Sequence, residues 1–134
     1  MSSVVSHRVQ RFPISCTLAN PADETTIQVI SNSGYPSGSK YRCKVEIMRV
    51  TFTQTAGTAA SATPYILDDT GKAATSPDNV WQGANTASGA RLDDISAGGR
   101  LAQCDANGRL YFCPNGQGPG TVTGTGYVWL RIHE

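Results

Sequence analysis

The stretch that decides the fold is the C-terminal segment Tyr127-Val128-Trp129-Leu130-Arg131-Ile132-His133. Its even positions are aliphatic, whereas its odd positions are aromatic or can carry a positive charge. A period of two residues is typical of a β-strand that has one face in a core and the other toward water or a neighbour. The sequence therefore predicts a closing strand with a buried aliphatic face, and it predicts that Tyr127 and Trp129 lie outside the core.

A second long strand is predicted from about Tyr41 to Gln54. Cys43, Val45 and Ile47 alternate inward until the phase slips by one residue and Val50 and Phe52 become the inward positions. A slip of this kind indicates a β-bulge or a bend between sheets. Shorter strands are predicted at Val9 to Leu18, Thr25 to Ser31, Thr63 to Leu67, Val80 to Gln82, Arg100 to Cys104 and Arg109 to Cys113.

These strands and their turns predict the fold class. Turn signals such as Asn32-Ser33-Gly34, Asp69-Thr70-Gly71 and Asn115-Gly116 separate the strands, and no segment keeps a helical period for three turns. The sequence predicts an all-β, antiparallel two-sheet sandwich, a jelly roll of about eight strands. Two stretches are predicted as loops: Gly83 to Gly99, with room for one helical turn, and Ala56 to Thr63, as a mobile tip.

Length and composition restrict the organisation. The chain has 134 residues, of which 39% are hydrophobic and 16% charged. We expect residues 1–12 to form an N-terminal arm or edge strand and residues 13–134 a single β-sandwich domain. Scattered charges with a net value of +1 argue against nucleic acid as a partner, and no run is long and apolar enough for a membrane span or a secretion signal.

The four cysteines, Cys16, Cys43, Cys104 and Cys113, are interpreted as buried small hydrophobic residues. A two-residue hairpin at Asn107-Gly108 would leave Cys104 and Cys113 diagonal across the strands. Diagonal neighbours lie about 7–8 Å apart, which is too far for a disulfide.

No set of residues predicts catalysis or a metal site. The two histidines, His7 and His133, lie near the chain ends, away from any acid-supported nucleophile. The pairs Asp68-Asp69 and Asp93-Asp94 lack calcium-loop spacing, so the first is interpreted as part of a turn and the second as the cap of a helical turn. We therefore expect no enzyme activity, no cofactor and no metal.

The aromatic residues suggest binding. Trp81 fits core packing as well as it fits an exposed stacking platform, whereas the alternation at the C-terminus puts Trp129 and Tyr127 outside. One hypothesis is a protein interface that covers Trp129 and Tyr127. The alternative is a carbohydrate-binding or receptor-binding module in which Trp81, Tyr65 and Tyr111 stack on sugar rings.

The N-terminal segment also carries apolar side chains before any turn signal. It either completes a sheet edge or docks on another subunit. Together with the closing strand, it supplies the predicted interface residues, which are Val4, Val5, His7, Arg8, Arg11, Tyr127, Trp129 and Arg131.

The chain resembles a known class of virion proteins. Its low charge, its many Gly, Ser and Thr residues and its closing Gly-Tyr-Val-Trp-Leu-Arg-Ile-His-Glu strand are similar to the small β-sandwich head-decoration, or cement, proteins of tailed bacteriophages. The resemblance implies a homotrimer on the exterior of the virion capsid, assembled in the host cytoplasm. Its partner would be the major capsid protein lattice, which it would stabilise against the pressure of packaged DNA.

Overall fold

The computed structural model describes residues 9–19, 23–30, 43–68, 79–95, 100–105, 108–117 and 120–133. All regular elements in this part of the chain are strands. They are β1 (Val9–Leu18), β2 (Thr25–Gln28), β3 (Lys44–Ala56), β4 (Ser61–Ala62), β5 (Tyr65–Leu67), β6 (Asn79–Gln82), β7 (Thr86–Ala87), β8 (Arg91–Asp94), β9 (Arg100–Gln103), β10 (Arg109–Cys113) and β11 (Val122–His133).

Nine of these strands form the two antiparallel sheets of the sandwich, where the sequence predicts about eight. The first sheet has the order β1-β11-β3-β8, with β9 also paired to β3, and the second sheet has the order β2-β10-β5-β6. All pairs are antiparallel. Among these nine strands, only the links from β5 to β6 and from β8 to β9 stay within a sheet, so the chain otherwise alternates between the sheets as a double-sheet jelly roll does.

The two long predicted strands are the centre of the first sheet. Val128 and Leu130 of β11 are completely buried, which confirms the aliphatic face. In β3 the phase slip is a bulge at Met48, because Trp129 pairs with Arg49 while Leu130 pairs with Ile47. The bulge divides β3 into a half that pairs with β9 and a half that pairs with β8.

The core lies between the two sheets. Phe52 of the first sheet contacts Phe112 of the second, with ring centroids 4.9 Å apart. The largest fully buried side chains of the cluster that contains this contact are Trp81, Phe112, Ile27, Ile47, Ile66, Leu110, Leu130, Val45, Val50, Val122 and Val128. Leu67 is also fully buried but belongs to a second cluster, with Tyr65, Tyr111 and Cys113. Residues of both sheets contribute, so burial of their apolar surface is what holds the sheets together.

Both stretches that the sequence predicts as loops contain strands, so the two loop predictions are partly wrong. The stretch from Gly83 to Gly99 contains β7 and β8 in place of a helical turn, and β8 is a member of the first sheet. The stretch from Ala56 to Thr63 contains β4, which pairs with β7, and its Ala59 and Ala62 are 3% and 2% exposed. Pairing with strands distant in sequence gives these short segments their structure, and a local pattern of small residues does not reveal such partners.

The four cysteines are buried and none of them forms a disulfide, as the sequence predicts, but the predicted hairpin next to Cys104 is wrong. Cys104 follows β9 in the first sheet, and its N–H donates to the carbonyl of Cys43, at 2.8 Å. Cys113 ends β10 in the second sheet. Gly108 donates to the carbonyl of Asp105 and has a φ of +74°, so the tight turn begins at Asp105.

Candidate interaction surface

The side of the first sheet that faces away from the core, called the outer face below, carries the polar and aromatic residues of the closing strand. Strand register aligns its side chains in rows that cross neighbouring strands. The rows are Val9, Arg131, Glu46 and Leu101; Arg11, Trp129 and Arg49; Pro13, Tyr127, Thr51 and Asp93; and Ser15, Thr125, Thr53 and Arg91. Five strands therefore contribute side chains to one continuous surface.

Two aromatic residues and two arginines are stacked at the centre of this surface. The guanidinium of Arg11 lies 4.2 Å from the ring centroid of Tyr127, and that of Arg49 lies 4.8 Å from the ring of Trp129. The Tyr127 and Trp129 rings are 5.9 Å apart. We call these four residues the Arg–aromatic strip. Cation–π contacts hold the arginines against the rings, which restricts their side chains before any partner binds.

Asp93 anchors one end of the strip. Arg49 donates two hydrogen bonds to its carboxylate, from Nε at 2.9 Å and from the terminal nitrogen at 2.6 Å. This bidentate pair holds the pKa of Asp93 below its ordinary value. Arg91 lies further away, at 3.8 Å from the same carboxylate. The Trp129 ring is therefore backed by an arginine that is itself fixed from the other side.

The opposite end of the outer face has a second group of charged residues. The His133 ring donates a hydrogen bond to the Glu46 carboxylate at 2.7 Å, and this carboxylate lies 3.7 Å from the guanidinium of Arg131. Leu101, in the same row, is 73% exposed. An apolar side chain this exposed, beside a strip of aromatic rings, is the kind of surface that a protein partner covers.

The described part of the outer face has an excess of positive charge. It carries five cations, Lys44, Arg11, Arg49, Arg91 and Arg131, against two carboxylates, Glu46 and Asp93. Both carboxylates are engaged by arginines of the same face. The surface therefore favours a partner with negative charge opposite the strip.

The structure brings together half of the interface residues that the sequence predicts. Arg11, Tyr127, Trp129 and Arg131 lie on the outer face, on the adjacent strands β1 and β11. Val4, Val5, His7 and Arg8 lie outside the described residues. Sequence reasoning missed Arg49 and Asp93, although the phase slip at Met48 already implied that Arg49 points away from the core; only the strand register shows that it meets Trp129.

The sugar platform proposed from Trp81, Tyr65 and Tyr111 is wrong. These side chains are 2%, 7% and 6% exposed, so a sugar ring cannot stack on them. The Trp81 indole donates to Asp94 Oδ2 at 2.8 Å, which satisfies its polar group inside the protein. Asp93 and Asp94 lie on strand β8 and point to opposite faces, so they do not cap a helical turn.

The buried cysteine thiols are expected to have low nucleophilic reactivity. Burial raises the pKa of the Cys113 thiol to about 11, and a hydrogen bond with the Cys43 thiol raises that of Cys104. Such thiols are protonated at neutral pH and are weak nucleophiles. Within the described ranges no three His, Cys, Asp or Glu residues are grouped as metal ligands, and there is no helix of a length and hydropathy suited to crossing a membrane.

Tyr111 provides a prediction about stability at alkaline pH. Burial, together with a 2.5 Å hydrogen bond to Asp105, raises its pKa to about 12, above the ordinary value of about 10. A folded pKa above the unfolded one gives stability that is complete below pH 10 and is lost as the pH rises through 12. We expect the free energy of unfolding to fall by about 2 kcal/mol over that interval.

Urea denaturation of Tyr111→Phe and the unchanged protein under reducing conditions measures this effect. The variant loses about 1 to 3 kcal/mol at pH 8, because Asp105 loses a hydrogen-bond donor. The difference between the two proteins then shrinks between pH 10 and 12, and the thiols cancel in that difference. Tyr127→Phe, on the exposed face, is the control. A difference that stays constant up to pH 12 contradicts the role given to Tyr111.

Comparison of the chain with protein-family models and with curated proteins finds no match in either case. The functional argument therefore depends on the fold and on the outer face.

Proposed function

We propose that this protein is a structural virion protein, a decoration or cement protein that binds the major capsid protein lattice of a bacteriophage head through its outer face. The observation that carries the proposal is the Arg–aromatic strip. It lies on the side of the first sheet that faces away from the core, where a partner can contact it. Double-sheet jelly rolls are common in viral capsids, which is an analogy at the level of the fold.

The composition of the strip supports a protein interface. Tyr, Trp and Arg are the residue types that most often carry the binding energy of protein–protein contacts. Here Arg11 and Arg49 are already stacked on Tyr127 and Trp129, so binding costs little side-chain entropy. The exposed Val9 and Leu101 lie in the row next to the strip and extend the apolar contact area.

Position and copy number follow from the same proposal. The protein would be a homotrimer on the capsid exterior, with major capsid protein as its partner and with neither nucleic acid, membrane nor cofactor involved. It would do no chemistry. Its contribution would be the binding free energy that it adds across neighbouring capsid subunits, which raises the resistance of the shell to internal pressure.

A binding assay with capsids tests the proposal. Purified protein is mixed with phage capsids that lack the protein and are emptied of DNA, and co-sedimentation is measured over a range of concentrations. We expect saturable binding, and we expect Trp129→Ala to weaken it by about tenfold or more, because the change removes a central ring and the support of Arg49.

The matched control is Thr17→Ala, an exposed residue of β1 far from the strip. It should bind as the unchanged protein does. Light scattering of the free protein measures the trimer. A monomer that fails to co-sediment overturns the proposal, and equal binding by Trp129→Ala overturns the role of the strip.

A further inference from the structure

A groove of about 470 Å³ runs along the outer face beside the Arg–aromatic strip. Its walls include Pro13 and Tyr127 on one side and Arg91 at the end, and the row formed by Ser15, Thr125 and Thr53 lies along it. A volume of this size is within the range of small-molecule sites. The groove thus differs from the strip in both shape and chemistry.

The groove is lined by hydroxyl groups that the protein does not use. Ser15, Thr125 and Thr53 occupy three adjacent strands, and within the described residues none of their side chains makes a hydrogen bond. Each hydroxyl can donate and accept. Neighbouring hydroxyls in this row are about one strand separation apart, roughly 4.8 Å, so two of them can contact non-adjacent hydroxyls of one sugar ring.

Tyr127 supplies an apolar wall. Its ring is 39% exposed, and the stacked Arg11 and Trp129 belong to the row on one side of it, whereas the groove lies over the row on the other side. Gly126 contributes backbone to the lining of the groove. Aromatic side chains present an apolar surface together with a polar tip, which suits the C–H face and hydroxyls of a sugar.

Arg91 supplies a positive charge at the end of the groove. Its side chain is 61% exposed, and its only ion pair with another described residue is the 3.8 Å contact with Asp93. That carboxylate is already held bidentately by Arg49. The Arg91 guanidinium therefore keeps donors that can bind a planar carboxylate in the fork geometry that arginine favours.

We propose that this groove binds a glycan residue that bears a carboxylate, with the sugar ring against Tyr127, its hydroxyls on Ser15, Thr53 and Thr125, and its carboxylate on Arg91. This binding activity uses the same outer face, and the same Tyr127, as the proposed capsid contact, so an acidic glycan and the capsid lattice would compete for the protein.

Ligand titration followed by NMR tests the site on the full chain. The probes are 3′-sialyllactose, the methyl glycoside of glucuronic acid, and lactose as the neutral comparison. We expect saturable shifts of the Tyr127 ring and Gly126 amide with at least one acidic probe, and about tenfold weaker binding of lactose. Arg91→Gln should reduce the preference for the acidic probe to near that of lactose.

Three further variants separate the outcomes. Thr125→Val keeps the shape of the side chain but removes a hydroxyl, so it should weaken binding, whereas Thr17→Val outside the groove should not. Trp129→Ala should keep the acidic-sugar binding while losing capsid binding, so the two proposals can fail independently. Absence of saturable shifts with both acidic probes overturns the site, and equal affinity for lactose or an unchanged Arg91→Gln overturns the role of the carboxylate.

Discussion

Trp81→Ala is expected to lower the free energy of unfolding by about 3 to 5 kcal/mol. Trp81 is 2% exposed and is the largest fully buried side chain of the described core. It lies in β6, at the edge of the second sheet, and its indole N–H binds Asp94 of β8, at the edge of the first. The truncation therefore opens a cavity and also removes a polar link between the sheets.

Urea denaturation followed by circular dichroism measures this loss. Trp81→Phe is the informative intermediate: it keeps most of the ring volume but leaves Asp94 without the indole donor, so it should cost about 1 to 3 kcal/mol. Trp129→Ala is the control for removing an indole from the same protein, and the half-buried position of its side chain on the outer face predicts a smaller loss. A Trp81→Ala protein within 1 kcal/mol of the original would contradict the assignment of Trp81 to the core.

Gly126→Ala is expected to destabilise the fold by about 3 kcal/mol or more, although it adds a single methyl group. A Cβ at this position would overlap the carbonyl oxygen of Thr51 and would lie 2.8 Å from the Cα of Phe52. Both atoms belong to the backbone of β3, which the sheet holds in place. Strands β11 and β3 would have to separate at the centre of the first sheet.

Thr125→Val is the control for this change, since it alters the neighbouring residue of the same strand on the side that faces solvent. It should leave the free energy of unfolding within about 0.5 kcal/mol. Gly89→Ala is a second comparison: nothing lies within 4 Å of a Cβ there, but its φ of +85° predicts a cost of about 1 to 2 kcal/mol. A Gly126→Ala protein as stable as Thr125→Val would show that β3 and β11 can adjust.

The closing strand was predictable because its two faces differ in hydrophobicity. Val128, Leu130 and Ile132 must be buried together, and a period of two allows this only in an extended chain. The same argument located the bulge in β3. The inward positions shift by one residue between Ile47 and Val50, so one residue of β3 has no partner in the neighbouring strand. Jelly-roll class followed from the number of such strands and their turn signals.

The candidate surface was only partly predictable. The outward position of Tyr127 and Trp129 follows from alternation, but their contacts with Arg11 and Arg49 depend on which residues stand opposite them in neighbouring strands. Arg11 is 116 residues or more away from both rings in the sequence. The groove depends on the same register, because Ser15, Thr125, Thr53 and Arg91 have no local pattern in common.

The sequence by itself determined the extended conformation, the buried aliphatic faces and the absence of a sequence motif for chemistry, because each depends on residues close together in the chain. The tertiary structure alone decided that Trp81, Tyr65 and Tyr111 are buried, that β8 is a strand, and that arginines stack on Tyr127 and Trp129. The physical reason is that these properties come from pairing between distant strands, where the register selects the partners. The closing strand by itself therefore predicts an aromatic face that points away from the core. The side chains of the neighbouring strands determine the charge and the shape of that face.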